Sequence, residues 1–162
     1  MSVIGLINAV FLTLPLIITV YLGIHSWRRR NIPGAISFMI SMLIVGAWCA
    51  TSLLVVVNSD ERTALFWVKM MLAIVPFLPA FIVVSVMQTM RDSQIAPRWI
   101  AISIIIPAIT AILSVTSDSQ SIYLYNLKLI QSGSQNVGWT NQYGPWSVVH
   151  LAYSYSVVGF SL

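Results

Sequence analysis

Charge is scarce in this chain. Of its 162 residues only 7% are charged, four acidic and eight basic, while 58% are hydrophobic. Soluble domains carry about 25% charged residues. A chain this poor in charge cannot clothe a water-facing surface, and with a mean hydropathy of +0.88 it reads as an integral membrane protein. Cysteine is nearly missing too. The single Cys49 lies in an apolar run, so no internal disulfide can form, and it reads as a small buried residue. Acidic residues are absent from the apolar runs, and there is no HExxH, nucleophile elbow, Gly-rich phosphate loop or Cys cluster. Two histidines without a buried acid are too few ligands for a metal. No cofactor and no catalysis are therefore expected. Ion-coupled transport places ionisable groups at membrane depth, so a pump is disfavoured. The net charge of +4 does not indicate nucleic acid, because the few cations sit in short loops beside apolar runs.

Hydropathy divides the chain into stretches at 3–24, 35–57, 64–90, 99–116 and 145–162. The first lacks a basic leader and a small-residue cleavage site, so it reads as a retained span rather than a signal peptide. The expected fold class is an all-α membrane protein: a polytopic helical bundle of about five spans, with an extracellular β-hairpin between the fourth and fifth. Loop charge sets the expected orientation. Arg28, Arg29 and Arg30 in "HSWRRRNIPG" and Arg91 and Arg98 in "RDSQIAPR" make five cations, against Arg62 and Lys128 on the other side. The positive-inside rule puts the first and third loops, and the C-terminus, in the cytoplasm.

Pro15, Pro76, Pro79 and Pro107 fall inside apolar spans. Each removes a backbone hydrogen bond, and neighbouring helices can satisfy the freed carbonyl. The outer loop, 117–143, contains "SIYLYNLKLI", the turn signal "QSGSQ" and "NVGWTNQY". Two aromatic, β-branched runs around a Gly/Ser turn predict a hairpin lying over the helix ends as a lid. Tyr123, Tyr125, Leu127 and Leu129 are expected on one face, with Asn126 and Lys128 on the other.

Few residues stand out as site candidates. Lys69 is the one charge well inside a span. It either snorkels toward Asp60 and Glu61 or faces a pocket holding a polar or anionic ligand. Trp146, His150 and Tyr153 share one helix face, with Ser154 and Tyr155 pointing elsewhere, and they serve as interfacial anchors or pocket lining. Trp48, Thr51 and Ser52, and Ser85 with Gln88, are expected to form interhelical hydrogen bonds. The triple arginine orients the chain first and meets anionic lipid second.

Four stretches together resemble the N-terminal seven-transmembrane sensor region of prokaryotic histidine kinases. They are "YLGIHSWRRRNIPGAISFMI", "GAWCATSLL", "LFWVKMMLAIVPFLPAFIVV" and "YGPWSVVHLAYSYSVV". The resemblance covers the whole chain but only the first five helices of that region. The chain departs from the family pattern at Val55, Val56 and Val57, where an acidic residue is frequent, and at Met71 and Leu72, where an acidic-aromatic pair is frequent. The resemblance implies an outside N-terminus and a cytoplasmic output module beyond the seventh helix. Pro145 to Leu162 is 18 residues, about 27 Å of helix, which barely crosses the hydrocarbon. The chain is expected to be part of a longer protein.

The expected function is a membrane sensory input domain of the two-component kinase type, detecting an extracellular or lipid-soluble signal. Trp67, Lys69, Trp146, His150 and Tyr153 are the candidate ligand-binding residues. Expected partners are membrane lipids, an unidentified small ligand, and a second copy or the missing helices and output module. The alternatives are a transporter or channel subunit, or a scaffold with no ligand.

Overall fold

A computed structural model describes residues 3–91, 97–116, 121–132 and 135–159. The chain is mostly helical, with three long apolar helical stretches and one short antiparallel sheet. Helix α1 spans Val3–Arg28, α2 Ala35–Val57, α3 Glu61–Ile74, α4 Leu78–Arg91 and α5 Pro97–Val115. Strands β1 (Leu124–Ser132) and β2 (Gln135–Tyr143) follow, and α6 covers Pro145–Gly159. The stretches Leu6–Arg28, Ala35–Val57 and Glu61–Met90 are each long and apolar enough to cross a membrane, while Ile100–Val115 is shorter.

Small residues bring α1 and α2 together. Gly23 and Gly46 are buried between them, and a side chain at Gly46 would meet the Thr19 hydroxyl. The connecting turn is tied to α4 rather than left loose. Ser85 Oγ donates to the Gly34 carbonyl at 3.1 Å, Thr89 Oγ1 to Pro33 O at 3.4 Å, and Ser37 Oγ to Gln88 Oε1 at 2.8 Å. The Arg28–Arg30 turn and the end of α4 thus lie at one end of the bundle. All three arginines there are exposed. Arg91 and Arg98 end α4 and begin α5, and their side chains lie outside the described residues.

The third apolar stretch is one helix broken in the middle. Residues Val75–Phe77 form a 3₁₀ turn between α3 and α4. Pro76 has no N–H to give Leu72 O, and Ser114 Oγ of α5 reaches that carbonyl at 3.1 Å while also lying 2.8 Å from Thr110 O in its own helix. Pro79 leaves Val75 O free, and the Leu78 N–H takes it in a tightened turn. Pro107 leaves Ser103 O free inside α5, and the Tyr153 hydroxyl of α6 donates to it. Three of the proline-freed carbonyls therefore have named partners, two of them from a neighbouring helix, as backbone in lipid requires. Ser114→Ala is expected to cost about 1 kcal/mol. The loss should shrink in a Pro76→Ala background, where the alanine N–H can serve Leu72 O. Melting temperatures of the two single variants and the double variant in detergent check this. Equal losses in both backgrounds would mean that Ser114 acts otherwise.

At the other end, Asp60 caps α3, its carboxylate accepting from the Thr63 N–H at 2.8 Å and the Thr63 hydroxyl at 2.6 Å. Those bonds, the hydroxyl first, hold its pKa below the usual value. The hairpin covers this end. Leu127 and Leu129 of β1 and Trp139 of β2 pack against Val55, Ala64, Val68 and Met71. Lys128 and Ile130 face out, so alternation holds in the middle of the strand. It fails upstream. Tyr123 lies just before β1 and is buried, but so is Leu124 beside it. The cause is a bulge between Tyr125 and Lys128, with Asn126 at φ 53°. One extra residue there breaks the two-residue period. Burial first, and the neighbouring Tyr143 second, push the Tyr123 phenol above its ordinary pKa.

A second irregularity, between Ile130 and Gln131, inserts a residue into β2 next to Asn136. Asn136 is 1% exposed. Its Nδ2 donates to Asn58 O at 2.7 Å and approaches Val55 O at 3.4 Å, and its Oδ1 accepts from Gln131 Nε2 at 3.3 Å. The last carbonyls of a helix have no intrahelical donor. Asn136 supplies one to the end of α2 and fastens the hairpin there.

Candidate functional site

The five candidate residues fall in two places. Trp146, His150 and Tyr153 do share one face of α6, and that face lies on α5. Trp146 Nε1 donates to Thr110 Oγ1 at 2.9 Å, and His150 Nδ1 lies 3.4 Å from the same oxygen. Thr110 is fully buried and passes its own proton to Ile106 O at 2.8 Å. The His150 ring lies 6.1 Å from Tyr153 and 6.4 Å, edge-on, from Tyr123. The result is a hydrogen-bonded seam from Thr110 to Ser103. Ser154 bonds back to His150 O within α6, and Tyr155 is exposed.

Trp67 and Lys69 belong to α3, near the hairpin. Trp67 is half-buried on the hydrophobic cluster and meets Phe66 edge-on at 5.2 Å. Lys69 is half-buried too, on an open groove of about 550 Å³ shared with Asp60, Glu61, Arg62, Leu65, Phe66 and Leu127. Of the polar residues in α2 and α4, Ser52 bonds across to Met71 Sδ at 3.3 Å, and Ser85 and Gln88 hold the first turn. Thr51 bonds only within its own helix, to Ala47 O and Trp48 O. Trp48 is 44% exposed, and Cys49 is buried.

A half-open cavity, about 290 Å³, lies under the hairpin. Asn8, Phe11 and Leu12 of α1 form one wall, and Ser52, Val55 and Val56 of α2 form the second. Both sets are spaced i, i+3, i+4, the neighbours on one helix face. Met71 of α3 closes the back, and Val137, Gly138 and Trp139 of β2 form the roof. The walls are mostly apolar, with the Asn8 amide and the Ser52 hydroxyl as polar points. None of the five candidates lines this cavity, although Trp67 packs on the cluster behind Val55 and Met71. The sequence carried half of the signal, a polar residue with two apolar ones on the same face of α1 and of α2. The other half, the β2 roof, depends on where Asn136 docks. An apolar cavity of about 150 Å³ admits benzene, so this one has room for a ligand of about a dozen heavy atoms. Its chemistry suits binding rather than catalysis. Among the described residues no cluster of three or more His, Cys, Asp or Glu could hold a metal ion.

A family model described as the N-terminal 7TM region of histidine kinase matches residues 11–162. No curated protein and no solved structure matches the chain.

Proposed function

The chain belongs to the family of N-terminal 7TM regions of histidine kinases, non-catalytic sensory input domains of signalling proteins, and we propose that it receives a small apolar or amphiphilic ligand beneath its hairpin. The cavity of about 290 Å³ carries this reading. Val55, Val56 and Met71, three of the positions at which the chain departs from the family pattern, all line it. An acidic wall would favour a cationic or strongly polar ligand, and these side chains favour an apolar one.

In this reading the helices cross the membrane five times, α3 and α4 forming one kinked span. The hairpin end faces outward, and the Arg28–Arg30 turn faces the cytoplasm. Support comes from the separation of the two ends: the arginine turn is fastened to α4 by Ser85 and Thr89, the hairpin to α2 by Asn136. Trp67 and Lys69 border the receiving end. Ligand pressure on Met71 acts one residue from Leu72, whose carbonyl Ser114 holds beside the Pro76 break. Two arrangements of that break, with the Trp146–His150–Tyr153 seam carrying the shift to α6, would bias an output module elsewhere.

The test is a thermal-shift screen of purified protein in detergent against neutral and amphiphilic compounds of about a dozen heavy atoms. Val56→Trp fills the cavity. Compounds that raise the melting temperature of the wild type should leave that of Val56→Trp unchanged. Shifts that persist in the filled variant, or no shift with any compound, would remove the cavity as the receiving site.

A further inference from the structure

At the arginine end of the bundle a second cavity, about 410 Å³, opens between the first turn, α2, α4 and α5. Its mouth is polar. Arg30 lies there, its guanidinium 5.0 Å above the Trp27 ring, which fixes the direction of a long side chain. Gln88 lies there too, and because its Oε1 accepts from Ser37 Oγ at 2.8 Å, the amide presents its NH₂ as a donor. Deeper, the lining turns apolar, with Ile40 of α2 and Phe81 and Val84 of α4. Gln88 and Phe81 are seven residues apart on one helix, so the cavity runs about 10 Å into the bundle. Among the described residues no acidic side chain lines it.

We propose that this cavity is a site for an anionic phospholipid of the leaflet that bathes the arginine turn. The phosphate sits between Arg30 and Gln88, and the upper part of one acyl chain lies on Ile40, Phe81 and Val84. Among the described residues Arg30 has no acidic counterpart at the mouth, and at a membrane surface each such cation is worth enough to select anionic lipid. The apolar depth is what distinguishes a lipid from a soluble phosphate, which would have nothing to place there. The site stands at the opposite end from the cavity under the hairpin and does not depend on what that cavity binds.

Native mass spectrometry of the detergent-purified chain, titrated with phosphatidylglycerol or with phosphatidylcholine, tests this. Phosphatidylglycerol should be retained preferentially, and Arg30→Gln should cut its retention about fivefold. Ile40→Trp, which blocks the acyl track and leaves the charge unchanged, should cut it comparably. Arg29→Gln removes the same charge from the same turn but does not line the cavity, so it should change retention less than about twofold if the site rather than diffuse charge selects the lipid. Equal retention of the two lipids overturns the proposal. So does an Arg29→Gln loss as large as that of Arg30→Gln, or a retention indifferent to Ile40→Trp.

Discussion

Gly34→Ala is expected to destabilise the protein by about 3 kcal/mol, from two separate costs. Gly34 precedes α2 with φ 84°, ψ −16°, a left-handed conformation. An L-residue there costs roughly 1–2 kcal/mol. The second cost is steric. A Cβ at this position would lie 2.6 Å from the backbone oxygen of Ser85 and 2.5 Å from Thr89 Oγ1. The Thr89 side chain can rotate away, but the Ser85 carbonyl belongs to α4 and cannot move without the helix. Forced overpacking of this kind costs about 1–3 kcal/mol. The turn would lift off α4, losing the Ser85 and Thr89 bonds together. Gly23→Ala is the matched control. Its Cβ would meet Met42 Cβ at 3.8 Å, an ordinary contact, within a regular helix. Melting temperatures in detergent should drop sharply for Gly34→Ala and change little for Gly23→Ala. Similar values for the two variants would show that the first turn is not clamped as described.

Asn136→Ala should detach the hairpin. The substitution leaves the Asn58 carbonyl at the end of α2 without its 2.7 Å donor and Gln131 Nε2 without its acceptor. A buried polar group left unsatisfied costs about 1–3 kcal/mol, so a loss of roughly 2–3 kcal/mol is expected. The loss should be local. Hydrogen exchange should quicken at the β1–β2 amides and at the cavity roof, Val137 to Trp139, while α4 and α5 keep their protection. Asn136→Asp separates shape from bonding. It keeps the size of the side chain but swaps the donor for a second acceptor facing a carbonyl, so it should do at least as much damage as alanine. A mild Asn136→Asp would sink this account, because it would mean that the residue only fills space. Since β2 roofs the cavity beneath the hairpin, either variant should also lose any ligand-induced thermal shift.

The three long apolar helices are legible in hydropathy. Residues 35–57 form α2 as hydropathy placed it. The broken stretch at Val75–Phe77 follows from Pro76 and Pro79, and the hairpin from "QSGSQ" between two β-prone runs. The shared face of Trp146, His150 and Tyr153 followed from helical spacing. Strand alternation holds at Leu127 and Leu129 and fails at Tyr123–Leu124, since a bulge depends on the partner strand.

What the sequence determined by itself is whatever depends on a residue and its near neighbours: too little charge for a water-facing surface, apolar helices, the break at Pro76 and Pro79 (though not at Pro15 or Pro107, which stay inside continuous helices), and the clustering of arginine in the first loop. What only the tertiary structure decided is which distant groups meet. Asn136 serves a carbonyl 78 positions earlier, Ser114 one 42 earlier and Tyr153 one 50 earlier. Packing sets the α6 seam apart from Trp67 on the hydrophobic cluster and Lys69 on its open groove, and it lines a cavity with three helices and a strand. Hydropathy and periodicity are short-range properties of the chain. A hydrogen bond between remote positions exists only once packing has brought donor and acceptor within about 3 Å of each other.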